Sequence, residues 1–146
     1  MILAMVAIRA LASLFSLVIA PAAVAAPIEG PVAASVERVI DGDTVRVTAR
    51  IWVGHSVSVS VRLAGVDAPE LYRPKCAAER ELARRAKAFV EAMLTGGEVT
   101  LADIVHDKYG GRVVARVETP SGEDVGEALL GEGLAVEERA EKAWCE

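Results

Sequence analysis

Apolar and polar residues alternate through two runs of this chain, and that alternation constrains the fold more than any other feature. In the first run Val45, Val47, Ala49 and Ile51 fall on one side, with Arg46, Thr48 and Arg50 on the other. In the second, Val57, Val59, Val61 and Leu63 alternate with Ser58, Ser60 and Arg62. A period of two puts one set of side chains on a single face of a β-strand, whereas a helix would scatter them. Val32 to Ile40 reads as a preceding strand, and Asp41-Gly42 between apolar runs is a hairpin signal. Trp52 to Ser56 reads as the second turn. Three successive strands of this kind make an antiparallel meander.

The period then changes. Leu82, Ala86, Phe89, Val90, Met93 and Leu94 recur at helical spacing, in a helix that begins near Cys76 and stops at Gly96-Gly97. Glu98 to Val105 reads as a fourth strand and Arg112 to Glu118 as a fifth, with a turn over His106 to Gly111. A turn at Pro120-Ser121-Gly122 leads to a short helix from about Asp124 to Leu130, and Leu134 to Lys142 is expected to be helical as well. The order is three strands, a helix, two strands, a helix. That order predicts an α+β fold, mainly β: a five-stranded Greek-key barrel of the OB type with two or three helices. A five-stranded sheet with its helices packed on one side satisfies the same order.

The first 25 residues follow a different pattern. They carry one charge, Arg9, an apolar run from Ala10 to Ala20, and the small-residue tripeptide Ala23-Val24-Ala25. That is the layout of a secretory signal peptide cleaved after Ala25. The alternative is an uncleaved anchor, but the run is short for a bilayer span, which takes about 20 apolar residues. The expectation is a leader at 1–25 and one domain at 26–146, secreted or periplasmic, monomeric, and not stably associated with a membrane once the leader is gone. The chain has two cysteines, Cys76 and Cys145. An even count in an exported protein suggests a disulfide, here tying a helix start to the C-terminus. Closing a loop of about 70 residues is worth roughly 4 kcal/mol in the chain-entropy treatment. Neither the cysteines nor His55 and His106 stand at zinc-ligand spacing.

The formal net charge is −5, and loss of the leader with Arg9 makes the remainder more acidic. Such a chain gets no overall electrostatic help toward a polyanion. The distribution is uneven. Basic residues Arg73, Lys75, Arg80, Arg84, Arg85 and Lys87 crowd the stretch from Tyr72 to Ala88, and acids dominate from Glu118 onward.

Several charges answer no need of core or turn. Asp43 follows the first hairpin glycine, Arg62 lies on the third strand, Asp67 and Glu70 follow it across Pro69, and Arg112 opens the fifth strand. Carboxylates from separate segments can share a hard cation, and calcium takes oxygen ligands only: Asp43, Asp67 and the Ala68 carbonyl supply them. Guanidinium is a planar fork that matches phosphate oxygens and keeps its charge. A metal, a free carboxylate and two arginines suit phosphodiester hydrolysis: the metal neutralises phosphate, the carboxylate handles a water, and the arginines meet the growing charge.

The segments "VIDGDTVRV", "VRLAGVDAPE", "ERELARRAKAFV", "DKYGGRVVARV" and "EALLGEGLA" resemble, in order, the successive motifs of the staphylococcal nuclease (thermonuclease-like) family, from about Val36 to Ala135. The resemblance implies an OB-fold barrel and calcium-dependent cleavage of DNA and RNA. It implies metal ligation by Asp43, Asp67 and the Ala68 carbonyl, Arg62 and Arg112 on the scissile phosphate, and Glu70 as the water-activating carboxylate. Lys108 and Tyr109 would contact a neighbouring phosphate. The Trp144-Cys145 ending resembles exported members and supports a Cys76–Cys145 bridge. Two departures stand out: Gly110-Gly111 replaces a single glycine before Arg112, and no tyrosine follows "GLA" for packing on a nucleotide. Two other readings compete with a nuclease: a non-catalytic OB module that binds single-stranded nucleic acid or protein, and a calcium-binding structural domain. The latter leaves both arginines without a role.

Overall fold

The structure is a computed structural model that describes residues 25–145. Its elements are β1 (Val32–Val39), β2 (Thr44–Trp52), β3 (His55–Leu63), β4 (Val66–Asp67), α1 (Ala77–Met93), β5 (Glu98–His106), β6 (Arg112–Glu118), α2 (Val125–Gly131) and β7 (Val136–Glu137). The expected leader, residues 1–25, lies outside the described residues except for its last position.

The barrel closes in the order β1-β2-β3-β6-β5, with β5 returning to pair with β1. β3 and β6 run parallel, and the other barrel neighbours are antiparallel. A parallel neighbour cannot be reached through a tight turn. The chain therefore leaves β3, passes through α1 and β5, and only then lays β6 beside β3. This is the five-stranded OB-type barrel, and closure excludes the open sheet.

The alternating faces sort as the period requires. Val45, Val47, Ala49, Val61 and Leu63 are buried in one cluster with Leu101, Ala115 and Val117. Helix α1 joins it through Ala86, Val90 and Leu94, while α2 adds Val125 and Leu129. α1 is rich in Ala, Glu, Leu, Arg and Lys, all good helix formers. Cys76 caps it, with Sγ accepting from the Glu79 amide at 3.3 Å.

Three details differ from the sequence pattern. The β2–β3 turn is only Val53-Gly54, with Gly54 at φ +72°, so the strands run further than expected. They run beyond the barrel, which leaves Ile51, Trp52 and Val57 exposed; alternation marks a face but not whether anything covers it. The helix expected over Leu134 to Lys142 does not form. Gly133 at φ +65° ends the turn after α2, and Val136–Glu137 pairs instead with Val66–Asp67. β4 and β7 are too short to carry a periodic signal, so tertiary pairing overrides local helix preference there.

Gly42 shows how the fold sets the β1–β2 loop. A Cβ at this position would stand 2.8 Å from the Cβ atoms of both Ala68 and Ala86. The loop is thus wedged between the β4 exit and α1, and only a residue without a side chain fits. Gly42→Ala should lower stability by about 1–3 kcal/mol, the usual cost of overpacking, read as a shifted midpoint in urea denaturation.

Candidate active site

One end of the barrel gathers the β1–β2 loop, the end of β3, β4, the segment leading into α1, the start of β6 and the C-terminal tail. They enclose a cleft of ≈ 450 Å³. Arg62 is its centre. Position 62 on β3 and position 112 on β6 share a sheet face, because Ser60 pairs with Arg112 in the parallel register and side chains two apart point the same way. Both guanidinium groups accordingly line the cleft.

Arg62 joins two carboxylates from different segments. Its Nη1 stands 3.0 Å from Asp43 Oδ1, and its Nη2 forms a short ion pair with Asp67 Oδ1 and donates to the Val66 carbonyl at 3.1 Å. Asp43 is only 7% exposed. Its Oδ1 also accepts from Thr44 Oγ1 at 3.0 Å, and its Oδ2 accepts from the Ala68 amide at 2.8 Å. Burial alone would lower the Arg62 pKa, but the charges of Asp43 and Asp67 outweigh it and raise it above the usual value. Asp41, behind Asp43, is pushed up to about 6 by burial first and by the Asp43 charge second. Negative charge is therefore in excess at this spot, and every donor is a hard oxygen. That suits a divalent cation of the calcium type better than a thiophilic metal. The Cys76, Glu79 and Cys145 group cannot serve as a metal site, because its sulfurs are bonded to each other.

Glu70 lines the same cleft and is exposed. Its Oε1 accepts from the Tyr72 amide at 2.9 Å, which fixes the carboxylate on the turn that follows the buried Pro69. Glu79 carries out the next level of positioning. It is 3% exposed, and its two oxygens accept from the amides of Glu70 at 3.2 Å and Lys75 at 2.6 Å. A buried carboxylate in the first turn of α1 thus holds both ends of the Glu70 loop, helped by the positive end of the helix. The sequence reading did not single out Glu79. The C-x-x-E spacing from Cys76 is that of a capping box and was the available signal.

Across the cleft, the loop over 107–111 holds Arg112. Asp107 forms a short ion pair with Arg112 Nε. Burial pushes the Asp107 carboxyl up, but hydrogen bonds from Arg112 and from the Tyr109 and Lys108 amides outweigh it and hold it below the usual value. The doubled glycine is absorbed in the loop, where Gly111 adopts φ +80°, and Arg112 still reaches the cleft. Lys108 Nζ and Arg112 Cζ lie 5.1 and 5.5 Å from the centre of the exposed Tyr109 ring. Together these residues border a second depression that adjoins the first at Arg62 and Arg112. Cys76 and Cys145 form the expected disulfide. It closes off the cleft on the tail side, where Lys142 Nζ stands 2.7 Å from Asp67 Oδ2. No signal in the acidic tail pointed to Lys142. Among the described residues no helix is long and apolar enough to cross a membrane, and the disulfide fits an oxidising compartment.

Residues 60–145 match the family model described as staphylococcal nuclease homologue. The chain is 33% identical over 114 residues to the protein named Endonuclease YhcR of Bacillus subtilis (strain 168). That alignment covers 73% of this chain and 9% of the relative, so the chain spans less than a tenth of that protein's length.

Two substitutions test the supports. Glu79→Ala should leave the Glu70 and Lys75 amides without their carboxylate partner and cost on the order of 1–3 kcal/mol in a denaturant midpoint. Asp107→Asn should lower the melting temperature at neutral pH. An acid with a depressed folded pKa contributes stability above its unfolded value and loses it as pH falls through the folded one. The gap between wild type and Asp107→Asn should therefore close on acidification, read from melting curves between pH 7 and pH 2.

Proposed function

We propose, from the premise that this chain belongs to the family of staphylococcal nuclease homologues, that it is a secreted calcium-dependent nuclease hydrolysing phosphodiester bonds of DNA and RNA. The observation that carries the reading is the double ion pair of Arg62. One guanidinium bridges Asp43 and Asp67 from separate segments, in a cleft that also holds Glu70 and Arg112. A binding module has no need of two carboxylates and two arginines directed at one point.

Asp43 and Asp67, with the Ala68 carbonyl, would hold the calcium ion. When bound, it neutralises phosphate charge and orients a water. The remaining work falls to the chain. A guanidinium relieved of its carboxylates can turn both of its donor pairs to a phosphate. Arg62 approaches the phosphoryl oxygens from β3 and Arg112 from β6, where negative charge grows as water adds to phosphorus. Glu70 positions the water and accepts its proton while the phosphorus–oxygen bond to the sugar breaks. The departing oxygen takes up a proton from solvent. Lys108 and Tyr109, bordering the adjoining depression, would meet the next phosphate along the strand. Export agrees with the disulfide and with the leader-like pattern of residues 1–25.

Single-stranded DNA should be cut with calcium and left intact with chelator, followed by gel electrophoresis. Glu70→Gln and Arg62→Ala should each lower kcat by about 10²- to 10³-fold, the usual loss for one preorganised group at a charge-bearing transition state. Strand binding without cleavage under any divalent cation would make the domain a binding module instead.

A further inference from the structure

The cleft has a wall that the proposed chemistry does not use: the C-terminal tail. It is fixed at both ends. On one side β7 pairs with β4, which carries Asp67, and the Glu138 amide donates to the Gly65 carbonyl at 2.9 Å. On the other, Cys145 is bonded to Cys76, the cap of α1. Between these anchors Lys142 and Trp144 line the cleft beside Glu70 and Arg112. Lys142 also borders the adjoining depression, so it stands where the two meet. Trp144 is the one aromatic side chain lining the first cleft among the described residues, and it is half-buried.

We propose that this tail is a substrate-binding element, with Lys142 taking a phosphate that flanks the scissile one and Trp144 stacking on the adjacent base of a single-stranded polynucleotide. The inference rests on the nuclease reading. The Lys142 ammonium is half-exposed, and its one carboxylate partner, Asp67, is already paired with Arg62. A phosphate can therefore replace Asp67 as its partner. An indole beside arginine and lysine side chains is a stacking platform for an unpaired base, and it tolerates any base because every base has a π-face. The segment after "GLA" holds no tyrosine, yet the tail returns an aromatic group to the same cleft about ten residues later. The two anchors make that return possible: the tail is ordered before substrate arrives, so its ordering entropy is not charged to binding.

The chain has two tryptophans, Trp52 on the exposed β2–β3 turn and Trp144. Trp52→Phe leaves Trp144 as the sole indole. With calcium present and Glu70→Gln added to prevent cleavage, a thymidine decamer titrated into this variant should quench its fluorescence. Lys142→Ala in the same background should weaken binding about tenfold and flatten the salt dependence by about one phosphate contact. Lys142→Arg should restore both. In the presence of calcium, Trp144→Ala should raise KM about tenfold with kcat within a few-fold. Strand binding without quenching, no strand binding at all, or affinity and KM unchanged in both alanine variants would overturn the proposal. So would tighter strand binding by Lys142→Ala, which would make the lysine a plug. Binding that quenches Trp144, with no cleavage by the Glu70-bearing protein under any divalent cation, would refute the nuclease reading and leave the tail's role standing. Cleavage with an unchanged KM in both variants would do the reverse.

Discussion

The Arg62 guanidinium ties together three pieces of chain at one end of the barrel. Asp43 comes from the β1–β2 loop, Arg62 from β3, and Asp67 from β4. A half-buried cation between two carboxylates is the one arrangement that keeps all three charges tolerable away from bulk water. Each further contact at this end depends on it. The Ala68 amide reaches Asp43 because β4 is held beside the loop, and Gly42 is wedged against Ala68 for the same reason. β7 finds its partner only because β4 is held in place. The ion pairs thus act as an assembly point for the barrel end, and the proposed chemistry uses the same side chains.

That double use explains which features were legible in the sequence. The barrel was legible because Val45, Val47, Val61 and Leu63 sit on long runs, where a period of two is unambiguous. Asp43, Arg62, Asp67, Glu70 and Arg112 were legible because charges out of place on strand ends need a reason, and the structure brings all five to one cleft. The β4–β7 pair was not legible: two residues carry no period, and Leu134 to Lys142 has helix-compatible composition. Ile51 and Val57 follow the same alternation as Val47 and Val61, and nothing local says that the barrel stops short of them. Glu79 looked like one more acid on a charged helix. Its burial comes from the loop it receives, which lies outside any helical window. Lys142 was hidden for a related reason, because the chain approaches Asp67 from 75 residues away.

Charge bookkeeping shows how an acidic chain can present itself to a polyanion. The cleft is lined by Asp41, Asp43, Asp67, Glu70 and Glu79 against Arg62, Arg73, Lys75, Arg112 and Lys142. The two sets balance formally, and the key cations are already engaged: Arg62 with Asp43 and Asp67, Lys142 with Asp67, Arg112 with Asp107. A phosphate entering this cleft competes with carboxylates for these three donors. On the proposed reading, Asp43 and Asp67 would hold a divalent cation, and Arg62 and Lys142 would then be free to turn to a phosphate. Linkage then requires the effect to run both ways: strand binding tightens the cation site by the same factor that the cation tightens strand binding. Net charge, on this view, says little about affinity for nucleic acid; what matters is how many cleft cations are still tied to their own acids when the strand arrives.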